Sequence, residues 1–216
     1  MTRKWFPWLI GAGLVALALA ATLYVSPQLP DQIPTHWNLK GEVDGYGSKR
    51  TLFLMPAAML GLLGLFALIP KISPKPFAVD EFQGTYLTVM YLSVGLMGYI
   101  HAVILYATFH PELSMLRALV LGAMLGLAGL GNLFGKIRRN LYMGIRTPWT
   151  LANDRVWNDT HRLGAWMTVA GGLLGALFCL AGLPVWSALI PIAPAIIVPI
   201  VYSYTHYEAL EAQGEH

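Results

Sequence analysis

A chain of 216 residues that is 56% hydrophobic and 12% charged falls outside the range of ordinary soluble domains and inside that of polytopic membrane proteins. One cysteine, Cys179, excludes a disulfide framework and a cysteine metal cluster. The net charge of +3 is small, no direct nucleic-acid binding is expected, and the distribution of the charges says more than their sum.

Six runs of about 18 or more mostly apolar residues predict an all-α polytopic membrane bundle. The transmembrane helices are expected at about Pro7–Val25, Leu52–Pro70, Tyr86–Phe109, Leu116–Phe134, Leu163–Leu183 and Trp186–Tyr204. Arg3, Lys4 and the small residues around Ala18-Leu19-Ala20 give the first run the look of a secretion signal, but its apolar core continues to Val25 and is long for one. A retained helix is expected. With a cytoplasmic N-terminus, ten basic residues lie inside: Arg3, Lys4, Lys71, Lys75, Lys136, Arg138, Arg139, Arg146, Arg155 and Arg162. Four lie outside: Lys40, Lys49, Arg50 and Arg117. The positive-inside bias therefore places both termini in the cytoplasm.

The first outer segment, residues 26–51, reads SPQLPDQIPTHWNLKGEVDGYGSKRT. Pro27, Pro30 and Pro34 keep its first half extended, and Gly41, Asp44-Gly45 and Gly47 favour tight reversals. A small extracytoplasmic hairpin is expected, with Trp37 and Tyr46 suited to the membrane interface. In it His36, Asp44 and Lys49 can approach one another. One reading is a site for a peptide, a headgroup or a metal; the other is a capped turn in which His36 bonds Asp44. One His and one Asp are too few ligands to assign a metal site, and neither metal nor cofactor is expected.

The link KISPKPFAVDEFQGT reads as a surface connector. In the third helix His101 falls near the expected bilayer midplane, where an ionisable group faces protein or water. All Asp and Glu residues fall outside the six predicted spans, which argues against a proton relay and an ordinary proton-coupled transporter. His101 then reads as a neutral hydrogen-bonding group between helices, or as a ligand contact. Gly122 and Gly126 in the fourth helix, and Gly171 and Gly175 in the fifth, have small-xxx-small spacing and predict close packing of the two. Pro191, Pro194 and Pro199 predict a kinked sixth helix with carbonyls free to line a cavity. The tail THYEALEAQGEH is expected to fray.

Between the fourth and fifth helices, Gly131–Trp166 reads GNLFGKIRRNLYMGIRTPWTLANDRVWNDTHRLGAW. It holds six of the fourteen Lys and Arg residues and three of the seven Trp, too dense a polar and aromatic pattern for a plain connector. Lys136, Arg138 and Arg139 suit the headgroup level of the inner leaflet. Gly144 ends one element, Thr147-Pro148 looks like an N-cap and first helical residue, and Asn153 is a second possible start running into the fifth helix. On that helix Trp157, His161 and Gly164 or Ala165 share a face, while Arg155, Asp159 and Arg162 share another and can pair. Arg146, Trp149, Trp157 and His161 are expected to form an aromatic and cationic cluster with Asn132 and Asn140 nearby. It reads either as a site for an anionic headgroup, a peptide or a cytoplasmic protein, or as a structural knot at the membrane surface.

The second segment resembles the signature of the SdpI family of bacterial membrane proteins, which runs roughly GN…N…GIRTPWTL…VW…TH. The outer IPTHWNLKGEVDGYGSK resembles a small domain of unknown function found N-terminal to that signature. Together they cover about a quarter of the chain, in the family's order. The resemblance implies a multi-pass protein of the bacterial cytoplasmic membrane, with an N-terminal domain over residues 1–70 and an SdpI-like region over 71–216 whose signature spans 135–162. It implies immunity against a secreted peptide toxin that attacks the membrane, and a receptor role that holds a transcriptional repressor at the membrane. The site residues it points to are His36, Trp37, Asn38, Gly41, Asp44 and Lys49 on the outer face. On the inner face they are Asn132, Asn140, Gly144, Arg146, Thr147, Pro148, Trp149, Thr150, Trp157, Thr160 and His161. The expected partners are the lipid bilayer, a peptide toxin outside and a cytoplasmic repressor inside. The alternative is a transporter or flippase for an amphipathic substrate. An enzyme is not expected, because no nucleophile, base and orienting group stand at recognisable spacing.

Overall fold

A computed structural model describes residues 6–38, 41–110 and 112–214. Arg3, Lys4 and Lys40 of the charge count, and Glu215 and His216 of the tail, lie outside the described residues. The elements are α1 (Phe6–Val25), β1 (Gln32–Trp37), β2 (Val43–Ser48), α2 (Leu54–Ile72), α3 (Gln83–Ala107), α4 (Met115–Phe134), α5 (Pro148–Ala152), α6 (Asp154–Leu180) and α7 (Ile192–Ala212). Six segments are long and apolar enough to cross a membrane: Pro7–Gln28, Lys49–Ile72, Val79–Ala107, Met115–Phe134, Asp154–Leu180 and Val185–Ala212. A helix satisfies its own backbone within the segment, which is why lipid selects it. The apolar side chains left outside, such as Leu17, Leu23, Leu180 and Ile197, face no aqueous penalty there.

The chain divides into two compact units, one from the described residues of Met1–Ala67 and Met90–Ala123, the other from those of Leu68–Val89 and Met124–His216. In the first, β1 and β2 pair antiparallel in the expected hairpin, with the register broken between Pro34 and His36 and again between His36 and Trp37. Ile33 is 2% exposed and joins Leu29, Leu52 and Leu105 in a core that pins the hairpin to the ends of the helices. Gly122 leaves room for the ring of Tyr99, whose hydroxyl donates to the Ala118 carbonyl at 2.8 Å.

In the second unit the close approach expected of the α4 and α6 glycines is present. A Cβ on Gly172 would lie 2.6 Å from the Met124 carbonyl, and one on Gly131 would lie 2.8 Å from Thr168 Cβ. Gly175 meets α4 as well, where a Cβ would lie 2.6 Å from Met124 Sδ, and it also abuts the Ala188 carbonyl, while Gly171 abuts the Pro191 carbonyl in the turn that leads into α7.

Several boundaries differ from expectation. Helix α6 starts at Asp154 and takes in Asp159, and α7 runs through the expected frayed tail to Ala212, including Glu208 and Glu211. The helices thus carry acids where they outrun the apolar stretch, since helical hydrogen bonding continues past it. Pro191 is the N-cap of α7 and Pro194 lies in its first turn, where a missing N–H breaks no helical bond. Pro199 alone is interior, and it removes the donor for the Ala195 carbonyl.

Candidate functional site

The signature segment folds on itself through a few polar side chains. Asn140 is fully buried and acts as a hub. Its Nδ2 donates to the carbonyls of Arg138 and Met143 at 2.8 and 3.2 Å, and its Oδ1 accepts from the amides of Tyr142 and Met143 at 2.7 and 2.9 Å. All four hydrogen-bonding positions of the side-chain amide are therefore used within one loop.

That loop is tied to α6 by Trp157 and His161, both about 1% exposed. Trp157 Nε1 donates to the Ile137 carbonyl at 2.8 Å, and its ring stacks on His161 with centroids 4.0 Å apart. Since a carbonyl only accepts and an amide N–H only donates, the two bonds of His161 fix its tautomer. Nδ1–H donates to the Trp157 carbonyl at 2.8 Å, and Nε2 accepts from the Ile145 amide at 2.9 Å. Gly144 has φ +101°, and a side chain there would run into the His161 ring. Gly164 gives Ile145 a seat on the same face of α6.

Thr147 and Thr150 form a reciprocal capping box at the start of α5, with Pro148 at its first position. Thr150, fully buried, also donates within reach of the Ile145 carbonyl at 2.8 Å, and Thr147 Oγ1 meets Ser203 Oγ of α7 at 3.0 Å. Asn153 caps α6 through the amides of Arg155 and Val156.

The expected cluster of Arg146, Trp149, Trp157 and His161 divides. Trp157 and His161 stack in the interior. Trp149, carried by the separate α5, turns to Tyr204 of α7 at 5.0 Å. Arg146 is exposed and donates from Nη1 to the Leu141 carbonyl. It borders a cleft of about 390 Å3 whose other walls include Leu127, Phe134, Ala195 and Ile200. Asn132 is exposed beside a second cleft with Lys136, Arg162 and Trp166. Thr160 is buried with no hydrogen-bond partner for its hydroxyl.

In the hairpin, His36 Nδ1 and Asp44 Oδ1 meet at 2.5 Å as expected. Gly45 stands opposite His36, where a Cβ would come within 2.9 Å of the His36 Cβ. Lys49 does not join them. It donates to the Leu29 carbonyl at 3.0 Å and pairs with Asp31 at 3.3 Å, because the strand that ends at Ser48 carries it back to the membrane end of the hairpin. Asn38 closes the turn by exchanging bonds with Glu42, and Gly41 takes the φ of +84°. Trp37 lines a cleft beneath the strands, together with His101. His101 lies beside the hairpin and, as expected of a hydrogen-bonding group between helices, meets Thr22 of α1. Among the described residues no three His, Cys, Asp or Glu side chains gather at one point.

Other partners escaped sequence reasoning because each is a lone polar residue in an apolar or charged run. Thr22 bonds His101 at 2.8 Å, and His206 bonds Asp159 at 3.0 Å; the other oxygen of that carboxylate takes Arg162, the pairing expected from their shared helix face. Arg139 holds Asp154 at 2.8 Å and donates to the Leu151 carbonyl. In the loop after α3, Glu112 is held below the usual carboxylate range by its own backbone amide and then by His110.

Two protein families match this chain. The SdpI/YfhL protein family matches residues 136–203, and a domain of unknown function, DUF1648, matches residues 13–60. Immunity protein SdpI of Bacillus subtilis (strain 168) is 22% identical over 200 residues, covering 91% of this chain and 94% of that protein. No solved structure matches.

Proposed function

We propose that this chain, a multi-pass bacterial membrane protein of the SdpI family, is an immunity protein that protects its cell against a secreted, membrane-active peptide. The observation that carries the reading is the similarity to Immunity protein SdpI along nearly the whole of both chains, spanning hairpin and signature alike. In this reading the protein is not an enzyme. The hairpin with His36, Trp37, Asn38, Gly41 and Asp44 faces outward and meets the peptide, with Lys49 holding its base. The signature segment faces the cytoplasm and presents Arg146, next to the capped Thr147–Thr150 turn, to a repressor protein held at the membrane. Residues 1–70 and 71–216 are the corresponding outer-sensing and inner-signalling regions.

The geometry supports a division of labour within the signature. Asn140, Thr150, Trp157 and His161 are buried and spent on internal bonds, and Gly144 leaves the space that the His161 ring occupies, so they hold the shape. Arg146 is exposed and donates to one loop carbonyl, which leaves the other donors of its guanidinium for a partner.

The test is survival of a sensitive bacterium expressing the protein and challenged with a panel of membrane-active peptides. Wild type is compared with His36→Ala and Arg146→Ala at matched membrane levels. Protection by wild type that is lost in His36→Ala supports the peptide reading and its outer site; a signalling defect confined to Arg146→Ala supports the inner one. No protection against any peptide overturns immunity. The apolar cleft beside Arg146 also fits an amphipathic anion, and movement of a labelled lipid in vesicles carrying the purified protein would then favour a flippase.

A further inference from the structure

Two clefts lie side by side where α4 ends against α6, and they share Gly135, Lys136 and Arg162. The first, about 290 Å3, runs along the spans, and apart from Asn132 and the shared residues its walls are apolar. Trp166, on that wall, is 74% exposed, so the cleft opens to lipid. The second, about 350 Å3, lies past Phe134, the last residue of α4, and is polar, with Arg138, Asn158 and Asp159.

The charges do not cancel. Lys136, Arg138 and Arg162 share the second cleft with the single carboxylate of Asp159. Both oxygens of that carboxylate are taken, one by Arg162 Nη2 at 2.9 Å and one by His206 Nε2 at 3.0 Å. Among the described residues nothing pairs with the side chain of Lys136 or Arg138, and both are exposed. Asn132, in the apolar cleft four residues before Lys136, likewise has no partner for its side-chain amide among the described residues. An amide left bare in hydrocarbon costs free energy, and an ester carbonyl at that depth relieves it. Gly135 keeps the passage between the clefts open: of the surrounding atoms only Arg162 Cα, at 4.0 Å, would come near a Cβ there.

These groups set the chemistry of an occupant. A soluble phosphate or carboxylate would meet the cations and leave the apolar cleft empty and Asn132 bare. A neutral lipid would fill the apolar cleft and leave two cations without a counter-charge. A ligand that answers both carries an anion just past the end of the span, a carbonyl slightly deeper and an apolar chain along the span. That is the order of groups in an anionic phospholipid, and basic pockets between transmembrane helices are where such headgroups bind. We infer that the joined clefts hold an anionic phospholipid of the leaflet on the signature's side, with its phosphate against Lys136, Arg138 and Arg162, its ester groups at Asn132 and an acyl chain along Trp166 and Val169. The site shares no residue with the Arg146 cleft and stands whether or not the chain confers immunity.

The test titrates the full chain, purified in detergent, with phosphatidylglycerol and with phosphatidylcholine of the same acyl chains, and counts bound lipid by native mass spectrometry. Wild type should bind phosphatidylglycerol roughly tenfold more tightly, the scale expected of cations this close to a headgroup. Lys136→Gln with Arg162→Gln should bring phosphatidylglycerol down to the level of phosphatidylcholine, and unchanged phosphatidylcholine binding reports an intact fold. Lys71→Gln with Lys75→Gln removes the same charge from exposed positions outside the clefts and should leave the preference intact. Gly135→Leu keeps every charge and fills the passage. Gly135 is not in the left-handed region and has room for a Cβ, so this variant should fold and lose the preference. The inference is overturned by equal affinity of wild type for the two lipids, by a preference that survives in either cleft variant, or by one that the Lys71 and Lys75 changes also abolish. Displacement of the bound lipid by millimolar glycerol phosphate would overturn it in favour of a soluble anion.

Discussion

His161 keeps both ring nitrogens engaged with backbone groups, one on its own helix and one on the signature loop, and this makes it a staple and not a base. Its place depends on Gly144, whose φ of +101° suits glycine alone and whose missing side chain leaves space for the ring. Gly144→Ala adds backbone strain of about 1–3 kcal/mol to a direct clash. Unfolding in detergent should show a loss of at least that size, and unchanged stability would mean that the loop does not need this conformation. Trp157→Phe keeps the stacked ring but strips the buried Ile137 carbonyl of its donor. Such an unmet group costs about 1–3 kcal/mol, and the same unfolding measurement reads it. The His36–Asp44 pair behaves differently, because both side chains are largely exposed. Its loss should change stability by no more than about 1 kcal/mol. A failure of His36→Ala to protect cells would then report function and not unfolding.

At the scale of elements, the short α5 shows how a five-residue helix persists without a core of its own. It is closed at its start by the Thr147–Thr150 box, and the cap's hydroxyl reaches Ser203 on α7. Thr147→Ala should cost about 0.5–2 kcal/mol, while Thr147→Ser should be close to neutral. An equal loss in the serine and alanine variants would show that the methyl group, which both lack, and not the hydroxyl holds the turn. Thr147-Pro148 and Asn153 were readable as helix starts because caps are local chemistry, settled within three or four residues of sequence. The hairpin was readable for the same reason, from three prolines followed by Gly41, Gly45 and Gly47. The orientation of Trp149 was not. Whether it joins Trp157 or Tyr204 depends on the angle between α5 and α6, which no local pattern encodes. Lys49 misled in a similar way: its nearness to His36 depended on strand direction at the hairpin's base, and there Asp31 and the Leu29 carbonyl claim it.

For the molecule as a whole, hydropathy sufficed to count the spans, because lipid demands one uninterrupted apolar helix for each crossing. It could not place helix ends in α6 and α7, where hydrogen bonding continues after the apolar stretch stops. Nor could it find the Thr22–His101 contact, since two lone polar residues in separate greasy helices carry no mark of partnership. The number of spans does have a consequence that charge bias alone lacks. The hairpin follows the first span and α5 follows the fourth, so three spans separate them. If all three cross, the two candidate sites lie on opposite faces whichever way the protein is inserted. The positive-inside bias then selects the hairpin as the outer one. With the native thiol removed as Cys179→Ala, Tyr46→Cys and Ala152→Cys each introduce one exposed thiol. A membrane-impermeant maleimide applied to intact spheroplasts should label the first and reach the second only after the membrane is opened. The inverse pattern would reverse the insertion while keeping the two sites apart. Labelling of both from outside would mean that one of the three spans does not cross, and a sensor with one site on each face would no longer be tenable.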